Sequence, residues 1–192
     1  MKLTIKKEVL LDGINKVSKA LSTKNLVPVL SGIKFDLTEK GLLLTASDND
    51  ITIQVFIDRT DDMKIEKEGS IIIQGKYILD IVRKLPDEFI NIEVIDELKV
   101  IIYTDNSEFN LNGINKSEYP TISLDLSKNP LILNSRVFRS IISQTSFASS
   151  SDESRPILTG INFKITGNMM ECNSTDSYRL ARRMIQLNNT VD

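Results

Sequence analysis

Apolar and polar positions alternate and then fall into a helical rhythm, three times along the 192 residues. Residues 2–6 alternate with a period of two, as a strand with one buried face does. Residues 7–21 then place Leu10, Ile14, Val17 and Leu21 on one side of a helix. Strands are predicted over 29–37, 41–47 and 51–57, separated by Thr38-Glu39-Lys40 and Asp48-Asn49-Asp50. This β-α-β-β-β order starts again at 70–74. Its helix, 76–85, turns Ile78, Ile81, Val82 and Leu85 inward, and strands follow near 89–95, 98–104 and 107–112. A third start at 130–133 leads to a helix at 135–147 carrying Phe138, Ile141, Ile142 and Thr145. Its strands fall near 157–165, 168–174 and 179–187. The pattern predicts an α+β fold of repeated units, with helices on one side of antiparallel sheets.

The units are related by an internal repeat. Pro28-Val29-Leu30-Ser31-Gly32-Ile33-Lys34-Phe35 recurs as Pro156-Ile157-Leu158-Thr159-Gly160-Ile161-Asn162-Phe163, an offset of 128 residues. The same offset, without a gap, pairs Leu3 with Leu131, Ile14 with Ile142, and Ser47-Asp48 with Thr175-Asp176. Periodicity lapses from Tyr119-Pro120 to Asn129-Pro130. The expected division is therefore a complete domain at 1–125 and the first half of a second at 126–192. The third unit lacks a companion in this sequence, so Phe138, Ile141, Ile142, Ile161, Phe163 and Ile165 are expected to be partly uncovered. Asp48 and Asp176 share a repeat position and read as turn-forming residues rather than a carboxylate pair. Where Asp50-Ile51-Thr52 follows in the first repeat, Tyr178-Arg179-Leu180 follows in the second.

Composition narrows the chemistry. There is no histidine and a single cysteine, Cys172. Histidine bases, His-ligated metals and Cys-rich zinc sites are thereby excluded. No phosphate-binding glycine motif occurs, so no metal, cofactor or catalytic residue is expected. No apolar run is long enough to span a bilayer. Net charge is −2, so any DNA contact must come from local charge. At 100° per residue the second helix turns Lys76, Asp80, Arg83 and Lys84 outward, and the third turns out Arg136, Ser140, Ser143 and Gln144, flanked by Arg139. These faces fit either an ordinary solvated surface or a lining that follows phosphate backbones. They are expected to carry no aromatic residue.

Ser154-Arg155-Pro156-Ile157-Leu158-Thr159-Gly160 and Ser174-Thr175-Asp176-Ser177-Tyr178-Arg179-Leu180-Ala181 closely resemble the second domain of the bacterial DNA polymerase III beta subunit family. Leu26-Val27-Pro28-Val29-Leu30 and Lys84-Leu85-Pro86 resemble its first domain, and the likeness runs from residue 1 to about 190. The resemblance implies the DNA clamp fold and a cytoplasmic, non-catalytic processivity subunit. Two full-length chains of three domains would close a homodimeric ring around duplex DNA. Short peptide motifs of the polymerase, the clamp loader and repair proteins would dock on it. By the same resemblance, Lys24, Arg83 and Arg139 are DNA-facing, and Leu158, Thr175, Ser177, Tyr178, Arg179 and Leu180 belong to the peptide pocket. Ser177 and Tyr178 stand where many members have Gly and His, so a pH response at that histidine would be absent. Against such members the sequence reads as truncated in its second domain. The alternative reading is a protein-interaction module of clamp fold that does not close a ring.

Overall fold

The computed structural model describes residues 1–21, 27–121 and 131–187. The chain divides into two compact units, Met1–Ile122 and Ser123–Asp192. Most of the expected domain break, 122–130, lies outside the described residues.

The first unit runs β1 (Lys2–Lys6), α1 (Lys7–Val17), β2 (Gly32–Thr38), β3 (Gly41–Ser47), β4 (Thr52–Asp58), β5 (Met63–Lys67), β6 (Gly69–Gln74), α2 (Gly75–Lys84), β7 (Phe89–Ile95), β8 (Lys99–Tyr103) and β9 (Glu108–Asn112). Two antiparallel sheets form, in the orders β5-β1-β7-β8-β9 and β4-β3-β2-β6. The two halves therefore exchange their opening strands. β1 pairs with β7 of the second half, and β6 pairs with β2 of the first. Neither β-α-β-β-β half is a self-contained sheet. The alternation of Leu3 and Ile5, of Leu42, Leu44 and Ala46, and of Ile90 and Ile92 turns one face of each strand into a common core. α1 and α2 add Leu10, Ile14, Val17, Ile78 and Val82 to it.

Two expectations need correcting here. β5 was not foreseen; it forms an edge against β1. The strand expected over 29–37 begins only at Gly32, because Pro28–Ser31 form a 3-10 turn. Proline fixes φ and lacks an N–H, so it opens such a turn and cannot donate to a ladder. Gly32 is required where β2 meets β6: a Cβ there would lie 2.4 Å from Ile72 Cγ2.

The second unit runs α3 (Ser135–Thr145), β10 (Asn162–Thr166), β11 (Met169–Thr175) and β12 (Leu180–Gln186), with one antiparallel sheet in the order β10-β11-β12. Asn134 caps α3, its Oδ1 accepting from the Arg136 amide at 2.9 Å. The strand expected at 130–133 is not formed at 131–133. The repeat explains this, since β1 owes its ladder to β5 and β7, which have no equivalents among the described residues of this unit. The strand expected over 157–165 likewise begins late, after a 3-10 turn at Pro156–Leu158. Ile141, expected to be partly uncovered, is fully buried against Met170, Cys172 and Leu187. The repeat again supplies the reason. Gly13, the equivalent of Ile141, faces Leu44, and a Cβ there would lie 2.9 Å from Leu44 Cδ1. In the second unit Leu44 becomes Cys172, so the strand gives up volume where the helix gains it.

Candidate functional site

The two turns that follow β3 and β11 are built alike. Asp48 Oδ1 accepts from the amides of Asp50 and Ile51 at 3.0 and 2.7 Å. Asp176 Oδ1 accepts from those of Tyr178 and Arg179 at 3.0 and 2.9 Å. The residue between is left-handed in both, Asn49 at φ 85° and Ser177 at φ 79°. Ser47 and Thr175 each accept a third amide, at 3.2 and 3.1 Å. The expectation that the shared aspartates form turns agrees with this geometry. In the second unit these backbone bonds, first from Arg179 and then from Tyr178, hold the Asp176 carboxyl below its ordinary value.

What the common turn presents differs. Tyr178 is 98% exposed and Leu180 68%. Ser177, Tyr178 and Arg179 line a cavity of about 460 Å³ together with Leu158, Arg155 and the loop Ser149–Ser154. Leu158 is half-buried, and its carbonyl accepts from the Ser150 amide at 2.9 Å, which ties the loop to the 3-10 turn. Four of the six expected pocket residues thus surround one cavity. Of the other two, Thr175 holds the turn through its hydroxyl, which donates to the Arg179 carbonyl at 2.7 Å, and Leu180 opens β12 on the surface.

Sequence reading missed Phe147. It stands in the 3-10 turn after α3, is 59% exposed, and lies under the Arg179 guanidinium at 6.0 Å. Arg179 Nε donates to Asp176 Oδ2 at 2.9 Å. The buried Ser174 hydroxyl donates to the Thr145 carbonyl, and Arg183 donates to Gln144, so α3 is fastened to β11 and β12.

Lys76 and Arg83 are exposed on α2, and Arg136 and Arg139 on α3. Among the described residues none of these four side chains has an ion-pair partner. On α1, by contrast, Lys16 is held by Asp12 at 2.6 Å. Lys24 lies outside the described residues. The expectation that these faces carry no aromatic fails at Tyr77, which is 52% exposed beside Lys76. Its position, 100° around the helix from Lys76, left it at the margin of the basic face. No group of metal-ligating side chains occurs among the described residues, and no helix among them is long and apolar enough to cross a membrane.

A structure of strand-exchanged sheets, helices with exposed cations and a cavity beside one copy of a repeated turn defines a clamp-type architecture, and comparison with known proteins agrees. The family model for the DNA polymerase III beta subunit N-terminal domain matches residues 1–123, and that for its central domain matches 132–192. The chain belongs to the DNA polymerase III beta subunit family. It is 38% identical to the beta sliding clamp of Halalkalibacterium halodurans over all of its own length and 52% of that protein's. The sliding clamp structure from Bacillus subtilis superposes with a TM-score of 0.91 at 39% identity, covering 98% of this chain and 50% of that one. A sliding clamp from Bartonella birtlesii, solved bound to griselimycin, gives 0.90 at 27% identity over 98% and 51%. The chain spans about half the length of the curated relatives it matches.

Proposed function

We propose that this chain is part of a cytoplasmic, non-catalytic DNA sliding clamp that tethers the replicative polymerase and other partners to duplex DNA. The observation that carries the docking part of this reading is the divergence of two identical turns. The same backbone presents Asp50-Ile51-Thr52 in one unit and Tyr178-Arg179-Leu180 beside an open cavity in the other. A scaffold kept while its displayed side chains change is what a recognition site on a repeated fold looks like. Short peptides with apolar anchors are the ligand class, with the exposed Leu180 and half-buried Leu158 as the apolar contacts. Lys76, Arg83, Arg136 and Arg139, which have no ion-pair partner among the described residues, are assigned to the DNA side together with Lys24; cations so placed follow phosphates without reading bases. As in its family, two full-length chains would form the ring, and clamp loader and repair proteins would share the pocket.

The test is a titration of the full-length protein with short peptides bearing apolar anchors; the present chain alone should bind them poorly. Leu180→Asp is expected to weaken binding at least about 30-fold, the loss of a hot spot. Unchanged affinity removes the pocket assignment. On the DNA side, binding to linear duplex should be weak and indifferent to sequence, around 10⁻⁴ M or poorer at physiological salt. A sub-micromolar, sequence-selective affinity overturns the tether reading.

A further inference from the structure

We propose that two copies of this chain pair through their second units, each lending the segment 131–133 as a strand to the open edge of the other's β10. The first unit shows what a half of this build needs. Its two halves trade opening strands in the same register on both sides. Leu3 and Ile5 of β1 face Ile92 and Ile90, while Ile71 and Ile73 of β6 face Phe35 and Ile33. The trade is reciprocal, as across a two-fold axis. Two halves of one build can therefore complete each other.

The second unit carries both ends of that trade. Counted back from the helix that follows, 131–133 stands before α3 where 71–73 stands before α2. It belongs to no ladder, and Ile132 is 73% exposed. At the 128-residue offset, Phe163 and Ile161 stand where Phe35 and Ile33 receive β6. Among the described residues, the side of β10 away from β11 is unpaired. A donor strand and an acceptor edge on one chain suit a reciprocal pair. They are not set to meet within one copy, since β1 does not join the β2-β3-β4 ladders that follow it. The apolar face agrees. Phe138 of α3 stacks on Phe163 of β10, and both rings are exposed. Their counterparts Leu10 and Phe35 lie in the core that the two halves share. A second copy would set its Leu131 opposite Phe163, as Ile71 is set opposite Phe35. Three paired residues and two rings a side make a small interface of the transient class, so the copies part on dilution.

Sedimentation equilibrium of the 192-residue chain tests this. A monomer is expected at about 5 µM and a dimer at about 1 mM. Gly160→Ala separates this pairing from any other. Gly160 has nothing within 4 Å of a would-be Cβ, whereas a Cβ at its counterpart Gly32 would lie 2.4 Å from Ile72, the counterpart of Ile132. The substitution should not lower the melting temperature of the dilute chain. It should weaken dimerisation at least about tenfold, because a clash arises on each side of the two-fold axis. The register has its own readout. Opposed residues of antiparallel strands lie within disulfide reach. A Leu131→Cys chain mixed with a Phe163→Cys chain under mild oxidant should therefore become cross-linked, and neither chain should do so unmixed. A monomer at about 1 mM overturns the inference. So does a dimer that Gly160→Ala leaves intact, a mixture that gives no cross-link, or cross-links formed equally in the unmixed chains. A lowered melting temperature in the dilute Gly160→Ala chain also overturns it, since the neighbour of β10 would then lie within one copy.

Discussion

Phe35 and Phe163 occupy the same repeat position, in the same turn-strand segment, yet Phe35 is fully buried and Phe163 is 40% exposed. Leu10 and Phe138 repeat the contrast, at 0% and 44%, and the two exposed rings stack on each other with centroids 6.3 Å apart. The cause is topological. β2 is flanked by β3 and β6, and Phe35 lies opposite Ile71 across the second ladder. Among the described residues β10 is flanked by β11 alone. Because the halves of a domain exchange strands, a half on its own leaves both a sheet edge and a core face open. Burial here is a property of the assembled pair of halves, not of the residue or its local sequence.

That comparison fails most visibly if the two phenylalanines turn out equivalent. Phe35→Ala should cost about 3–5 kcal/mol, the scale of emptying a sealed core site. Phe163→Ala should cost about 1 kcal/mol, since much of its surface is in water already. Urea titration followed through amide signals of each unit measures both; equal costs would show that the second unit is sealed in solution. Next in size is the glycine pair. Gly32→Ala drives a methyl into Ile72, which should cost about 1–3 kcal/mol through overpacking. Gly160, its equivalent, has nothing within 4 Å of a would-be Cβ. Gly160→Ala should be neutral or slightly stabilising, as the unfolded chain loses freedom. A large penalty at Gly160 in thermal melts would place an unseen neighbour against β10.

Much of this fold could be read from the chain, and the failures are specific. Helices with faces such as Leu10, Ile14 and Val17 announce themselves by period. β3 and β11 do so by alternation between turn residues. β5 does not, because it is an edge strand whose Met63-Lys64-Ile65-Glu66-Lys67 buries only Met63 fully. The pairing of β1 with β7 joins residues far apart in sequence, and no local pattern encodes it. At the site, the turn was legible because an aspartate followed by a left-handed residue has a local hydrogen-bond logic. Phe147 was not, because a lone exposed aromatic after a helix looks like surface until the fold brings it under Arg179.

Smaller effects are expected where the two units agree in backbone and differ in side chain. Ser177 and Asn49 are both left-handed, but asparagine tolerates that region and serine does not. Ser177→Gly should therefore stabilise the second unit by about 0.5 kcal/mol after the entropy cost of glycine is counted. Asn49→Gly should gain nothing. Paired thermal melts decide between these outcomes, and a destabilised Ser177→Gly would mean that the Ser177 side chain itself contributes to the turn.

The smallest effect is the acid sensitivity of the second turn. The Asp176 carboxyl is held below its ordinary 3.8 chiefly by the Arg179 amide, then by the Tyr178 amide, with the Arg179 side chain adding to both. A carboxyl whose folded value lies below its unfolded one binds protons more readily when unfolded. Its contribution to stability is therefore complete above about pH 4 and is lost as pH falls through the lower, folded value. The Tyr178 and Arg179 amide protons report this directly, because both donate to Asp176 Oδ1. Followed by NMR from pH 6 downward, they should shift together with one midpoint below 3.8, and Asp176→Asn should abolish the shift. A common midpoint at or above 3.8 would show that the turn does not hold its carboxylate.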